Sequence, residues 1–323
     1  MKNISEFMLK LHKQLIDTRG ISESSATLYI RNLYSLNNER PFDNLAWTKN
    51  VDNINIRLSE YAESTQKNMI TSLVCVLDLL KDKSTYKKIY TYWYTEMMER
   101  NQNKGEPNKK SEKQEANWVS WDIVKGHEKR LLDDIMKYNS LKELTPVQYE
   151  NILSLLILSL YTLTPPRRNQ DYQYMMVVKK SKDMNDDKVN YVILDESKFV
   201  FNKYKTFKTY GQQVFDVPSE LMNIIKLYLK HSPVYKEKAK NPVWLLVDYH
   251  EKPLQAVNSI TRILNHIFGK KVGATMLRHI YLTNKYSIED MTKDSEMMSH
   301  GIDTQRQYLL KGEGHQEVEV PEV

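Results

Sequence analysis

Residues Val147–Leu163 are apolar around nearly the whole circumference of a helix, and the run is punctuated at both ends. Thr145 and Pro146 supply a capping hydroxyl and a proline in the first turn, the arrangement that starts a helix. Thr164, Pro165 and Pro166 stop it, because proline has no amide hydrogen to extend the ladder. A helix without a polar face must be wrapped on all sides by other elements. The most apolar part, Ile152–Leu163, is broken by Ser154, Ser159 and Thr162 and is too short to cross a bilayer, so protein is its expected surrounding. A chain of 323 residues has enough material to build this core and a second one.

Upstream, the first hundred residues read as helices with few glycines or prolines. Ser24 is placed to cap a helix with Tyr29, Leu33 and Leu36 on one face. A second helix runs from about Ser64 to Leu80, with Met69, Leu73, Val76 and Leu80 in a stripe. A third, from about Tyr86 to Glu99, is rich in tyrosine and lysine. The segment Asn101–Ala116 then loses apolar periodicity and gains Gly105, Pro107 and dense charge, which predicts an exposed linker. Downstream of the central helix come short valine- and phenylalanine-rich runs at Val189–Leu194, Phe199–Phe201 and Gln213–Val217, the last two joined by the lysine-rich Asn202–Gly211. Ser219 is placed to cap a helix to about Leu229, and from Ala256 the pattern is helical almost to Leu310. The predicted organisation is a helical domain over 1–100, a linker over 101–116, a mixed α+β domain over 117–311 and an acidic tail over 312–323. The fold class is mainly α with a small antiparallel β-sheet.

The net charge of +6 and a pI near 8.9 favour a polyanionic partner without specifying it. The single cysteine, Cys75, excludes an intramolecular disulfide and a cysteine-based zinc site. It lies in an apolar run and reads as a buried, inert thiol. The start of the chain lacks the long apolar stretch of a signal peptide, so a soluble, intracellular protein without a membrane partner is expected, in the cytoplasm or nucleus of a host cell. No glycine-rich phosphate loop, no carboxylate cluster spaced for two metals and no HExxH motif is present. These absences argue against a metal or nucleotide cofactor. What remains is a series of arginines, lysines, histidines and a late tyrosine, groups that suit phosphoryl transfer by positioning and charge.

Each member of that series is weak in isolation. Arg167 and Arg168 follow a stiff double proline, and an arginine fork matches two phosphate oxygens, yet such a pair is commonly a surface feature. Asp171 is placed to hold Arg168 in orientation. In Thr275–His279, Leu277 and the later Ile280 can face a core while Arg278 points outward. His300 and Tyr308 are eight residues apart, and with 21 tyrosines in the chain a lone one is usually structural. The order changes these odds. An arginine, a lysine between two strands, then Leu-Arg-His, Ser-His-Gly and Thr-Gln-x-x-Tyr is a layout that resembles the tyrosine recombinase (phage integrase) family over about Asn117 to Leu310. The strings TPPRRNQDY at Thr164–Tyr172 and NKYKTFKTYG at Asn202–Gly211 look most like integrases of eukaryotic large DNA viruses, virophages and related mobile elements.

The resemblance implies a helical core-binding domain followed by a catalytic domain, and a set of roles. Arg168 resembles the first family arginine, with Arg167 as the alternative. Lys205 resembles the lysine of the β-hairpin, with Lys203 and Lys208 as neighbours in contention. Arg278 resembles the second arginine, His300 the histidine of the Gly-His motif with Ser299 in place of the glycine, and Tyr308 the nucleophile. Thr275 departs from the family, which usually has histidine there; a hydroxyl can bond a phosphate oxygen but is a poor base. His279 is a candidate substitute. Lys179, Lys180, Lys203 and Lys208 are expected to meet DNA phosphates. The implied activity is site-specific cleavage and rejoining of double-stranded DNA through a 3′-phosphotyrosine, without metal or cofactor, by a homotetramer on two DNA sites. The alternatives are a catalytically impaired DNA-binding protein of the same fold, or a strand transferase resembling a type IB topoisomerase or telomere resolvase. The tail after Tyr308 is either a docking segment for a neighbouring protomer or a disordered end.

Overall fold

The computed structural model of the chain describes residues 4–102, 110–138, 140–235, 241–284, 294 and 297–299. The chain divides into two compact units, Met1–Glu106 and Pro107–Val323.

The first unit is helical: α1 (Glu6–Arg19), α2 (Glu23–Leu36), α3 (Val51–Ser59), α4 (Glu63–Asp78) and α5 (Ser84–Gln102). Of the predicted stripe, Met69, Leu73 and Val76 are buried on α4 against Leu11, Leu15, Leu33 and Trp93, whereas α4 ends at Asp78 and Leu80 lies past it, partly buried. Full burial of each such aliphatic side chain contributes roughly 1.5–3 kcal/mol. Two polar side chains in this core are paired: Asn32 donates to Ser72 Oγ at 2.8 Å, and the Trp93 indole donates to the Thr48 carbonyl at 3.3 Å. Ser22, not Ser24, caps α2, because its hydroxyl is the one that reaches the amide of Ser25. Cys75 is half-buried rather than fully buried, and burial raises its thiol pKa. On α5, Lys87, Lys88, Tyr92 and Tyr94 are exposed, the basic and aromatic surface the sequence predicts.

The second unit contains α6 (Glu112–Asn117), α7 (Trp121–Met136), α8 (Pro146–Thr162), α9 (Asn169–Gln173), β1 (Met175–Val178), β2 (Asn190–Ile193), β3 (Lys198–Phe201), α10 (Phe207–Tyr210), β4 (Gln213–Asp216), α11 (Ser219–His231), β5 (Val243–Trp244), α12 (Ser259–Phe268) and α13 (Ala274–Asn284). The apolar run is α8, and every residue from Ile152 to Thr162 is buried. Its start is a capping box, in which Thr145 and Gln148 bond each other's backbone amides, with Pro146 in the first turn. Helices α7, α11, α12 and α13 pack around it. The two hydroxyls near its end, on Ser159 and Thr162, donate to the buried carboxylate of Glu128 on α7.

The strands form one mixed sheet in the order β4-β3-β2-β1-β5. The three strands read from the sequence, β2, β3 and β4, are antiparallel as expected, with Tyr191 opposite Val200 and Phe199 opposite Phe215. The sheet is larger than that, however. β1 joins β2 in parallel, with Met175 opposite Asn190, and the two-residue β5 adds an antiparallel edge. β1 escapes a sequence reading because MMVV shows no alternation: it is buried on both faces, at Val177 and at Val178.

Of the described residues in the expected linker over 101–116, 101–102 and 112–116 are helical, and 110–111 are not. Residues 101 and 102 end α5, and Ser111 with Gln114 forms a capping box that starts α6. A short polar helix has no apolar stripe to detect, so its signal lies in the cap alone. Pro218, not Ser219, is the N-cap position of α11. Among the described residues no helix is long and apolar enough to cross a membrane.

Candidate functional site

The end of α8 delivers the double arginine. Thr164 and Tyr172 both bond the Leu160 carbonyl, at 3.0 and 3.1 Å, which ties the proline segment to the helix terminus. Arg168 is extended, with φ −77° and ψ 152°. Neighbouring side chains in extended backbone point to opposite sides, and the two arginines separate accordingly.

Arg167 turns inward and is 3% exposed. Its guanidinium lies 3.8 Å over the Phe201 ring and 5.0 Å from the ring of Tyr204. Its Nε donates to Asp171 at 2.9 Å, and its Nη1 donates to Gln213 Oε1 at 3.2 Å and to the Met297 carbonyl. Asp171, expected to orient Arg168, therefore holds Arg167. Asp171 lies in the first turn of α9 and reaches back to Arg167, which precedes the helix, and the aromatic slot accepts the first arginine of the pair. Burial pushes the Asp171 carboxyl pKa up, and the charges of Arg167, Arg168 and Arg278 pull it back.

Arg168 turns outward into a cleft of about 660 Å³. Its Nη1 is buried without a hydrogen-bond partner. The same cleft is walled by Thr275, Arg278 and His279, all on α13. Arg278 is 3% exposed, whereas Thr275 is exposed. His279 is buried, and the Gln114 amide donates to its Nε2 at 3.4 Å. Two further lysines, Lys113 on α6 and Lys271 in the turn before α13, also reach the walls. Among the described residues, four basic side chains besides His279 line the cleft, and no carboxylate does. That composition makes an anion site, and two of its cations are arginines, whose forks suit phosphate oxygens.

The lysine candidates lie elsewhere. Lys203, Lys205 and Lys208 are exposed in the connection between the antiparallel strands β3 and β4, and Lys208 stands on the short α10 within it. Lys203 stands 3.7 Å over the Tyr174 ring. None of the three is among the residues that wall the cleft. Lys179 and Lys180 follow β1 and are not among the residues that wall the cleft. His300 and Tyr308 lie outside the described residues. The residue before His300 is described: Ser299 is fully buried with φ +58°. A left-handed backbone favours glycine, which gives a physical reason for the Gly that the family resemblance puts at this position.

Lys113, Gln114 and Asn117 escaped the sequence reading because they fall in a charged stretch without apolar periodicity. The capping-box spacing Ser111 to Gln114 was the available signal. Lys271, two residues after Gly269 in a turn, carries no signal of its own.

No protein-family model matches the chain, and no curated protein matches it. A solved structure described as the crystal structure of XerA recombinase aligns with 95% of this chain and 94% of its own, at 14% sequence identity and a TM-score of 0.40.

Proposed function

We propose that the chain cleaves and rejoins double-stranded DNA through a covalent 3′-phosphotyrosine on Tyr308, as a site-specific recombinase of the tyrosine type. The observation that carries this reading is the cleft shared by Arg168 and Arg278, two arginines far apart in the sequence, with no carboxylate among the described residues that line it. In the proposed reaction they clamp the non-bridging oxygens of the scissile phosphate and offset the charge that grows in the transition state. The Tyr308 oxygen bonds to phosphorus, the bond to the 5′-oxygen breaks, and Lys205 gives that oxygen its proton. His300 bonds the phosphate or assists the loss of the tyrosine proton. Thr275, exposed on the cleft wall, is a hydrogen-bond donor to the phosphate rather than a base. The ester link to tyrosine conserves the phosphodiester energy, so religation is the reverse of cleavage. Loss of either arginine is expected to cost about 3 kcal/mol of transition-state stabilisation, roughly a hundredfold in rate. Assembly as a homotetramer on two DNA sites belongs to the same reading.

The test is a suicide DNA substrate that traps cleaved intermediates. Wild-type protein is expected to leave a covalent protein–DNA adduct, and Tyr308→Phe none. An adduct that persists in Tyr308→Phe refutes the nucleophile. DNA binding with no adduct from the wild type would favour the impaired, DNA-binding alternative. Exchange between two duplexes separates a recombinase from a topoisomerase-like strand transferase.

A further inference from the structure

The loop that carries the lysines is tied to the arginine turn by side chains that do not wall the cleft. Asn190 opens β2 and is fully buried. Its Oδ1 accepts from the amides of Asn202 at 2.8 Å and Lys203 at 2.7 Å. Its Nδ2 donates to the carbonyl of Lys203 at 2.9 Å and to the carbonyl of Asp171 at 2.7 Å. Two accepted and two donated bonds use the full capacity of an amide side chain. One buried group thus grips the peptide on both sides of Lys203 and the backbone of the α9 turn that begins at Arg168.

A second anchor lies beyond Lys205. The Thr206 hydroxyl donates to the carbonyl of Ser299 at 2.7 Å. Where the loop re-enters the sheet, Gln213 Oε1 accepts from Arg167 at 3.2 Å and from the Ser299 hydroxyl. Lys205 therefore sits between two fixed points. Its own side chain is exposed, so the anchors act on its backbone. Lys203, Lys205 and Lys208 repel one another over a short stretch of chain, which makes an unanchored loop spread.

We propose that Asn190 and Thr206 are positioning residues that hold Lys205 in register with the arginine cleft. This rests on the reading of Lys205 as the proton donor to the 5′-oxygen. A misplacement of about 1 Å costs on the order of a hundredfold in rate. The test compares two DNA substrates, one with an ordinary scissile phosphodiester and one with sulfur at the bridging 5′ position. In both, the Tyr308 oxygen bonds to phosphorus. The bond to the 5′-oxygen breaks with transfer of a proton from Lys205, whereas the bond to the 5′-sulfur breaks to release a thiolate that needs no proton.

Asn190→Ala, Thr206→Val and Lys205→Ala are compared with wild type by the rate of adduct formation. Lys205→Ala is expected to be slowed about a hundredfold or more on the oxygen substrate and restored on the sulfur substrate. Asn190→Ala and Thr206→Val are expected to lose roughly tenfold to a hundredfold on oxygen and to recover on sulfur. Equal slowing on both substrates, or no slowing on oxygen, overturns the positioning role. If Asn190→Ala misfolds, Thr206→Val decides, because it keeps the shape of a half-buried side chain. A wild type without adduct, or a Lys205→Ala variant that sulfur does not restore, instead overturns the catalytic reading and takes the positioning role with it.

Discussion

Two adjacent arginines are expected to fail in opposite ways when replaced by methionine. Arg167 is 3% exposed and bonds Asp171, which is 1% exposed. Arg167→Met leaves that carboxylate buried without its bonded cation, a change that destabilises by roughly 3–5 kcal/mol. Arg168 is half-buried, and its Nη1 makes no hydrogen bond. Arg168→Met is therefore expected to change stability by less than about 1 kcal/mol, while DNA cleavage falls roughly a hundredfold. Urea titration followed by far-ultraviolet circular dichroism measures the first effect and adduct formation the second.

The pH dependence follows from the sign of the Asp171 shift. Its folded pKa is raised by burial and opposed first by Arg167. Removing Arg167 raises it further, so the deficit is largest where Asp171 is ionised and shrinks as pH falls through the raised folded pKa. Adding Asp171→Leu to Arg167→Met should recover much of the loss, because the two residues are coupled. A destabilised Arg168→Met beside a stable Arg167→Met would refute the assignment of the inward and outward arginines.

Two further outcomes bear on the same unit. Lys271→Ala is expected to weaken DNA binding with little sequence dependence and to reduce the slope of log K against log salt by about 0.9, since Lys271 lines the cleft as a point charge; an unchanged slope would remove it from the phosphate contacts. Ser299→Val places a β-branched residue at φ +58° and is expected to destabilise by at least roughly 1–3 kcal/mol, while Ser299→Gly relieves backbone strain in exchange for the bond to Gln213 and stays near wild type in thermal unfolding.

Much of the architecture is legible in the sequence. The central helix is, because Thr145, Pro146, Thr164 and the prolines after it act on their immediate neighbours and the apolar run between them has no polar face. The three antiparallel strands are, because Val192, Phe199 and Val214 stand in short β-prone runs bounded by turns. The order of the arginine, lysine, histidine and tyrosine motifs is also a property of the sequence, and with it the expectation of phosphoryl-transfer chemistry. The parallel strand β1 is not, since a buried MMVV has no period to read. Nor is α6, whose polar residues look like linker yet wall the cleft with Lys113 and Gln114.

The sequence by itself determined which residue types were on hand and in what order; the tertiary structure alone decided which arginine faces the cleft. Arg167 and Arg168 have the same chemistry, and the sequence spacing pointed Asp171 at Arg168, yet it holds Arg167. The choice is made by Phe201 and Tyr204, brought from β3 and the lysine loop to form a slot that one guanidinium fills. It is also made by Gln213 and Met297, which accept from its Nη1. Extended backbone then sends the next side chain the other way. Local pattern sets period and caps, because those depend on residues within a few positions. Which side of a dipeptide is inside depends on contacts closed across the whole unit, and one strand of sequence does not contain them.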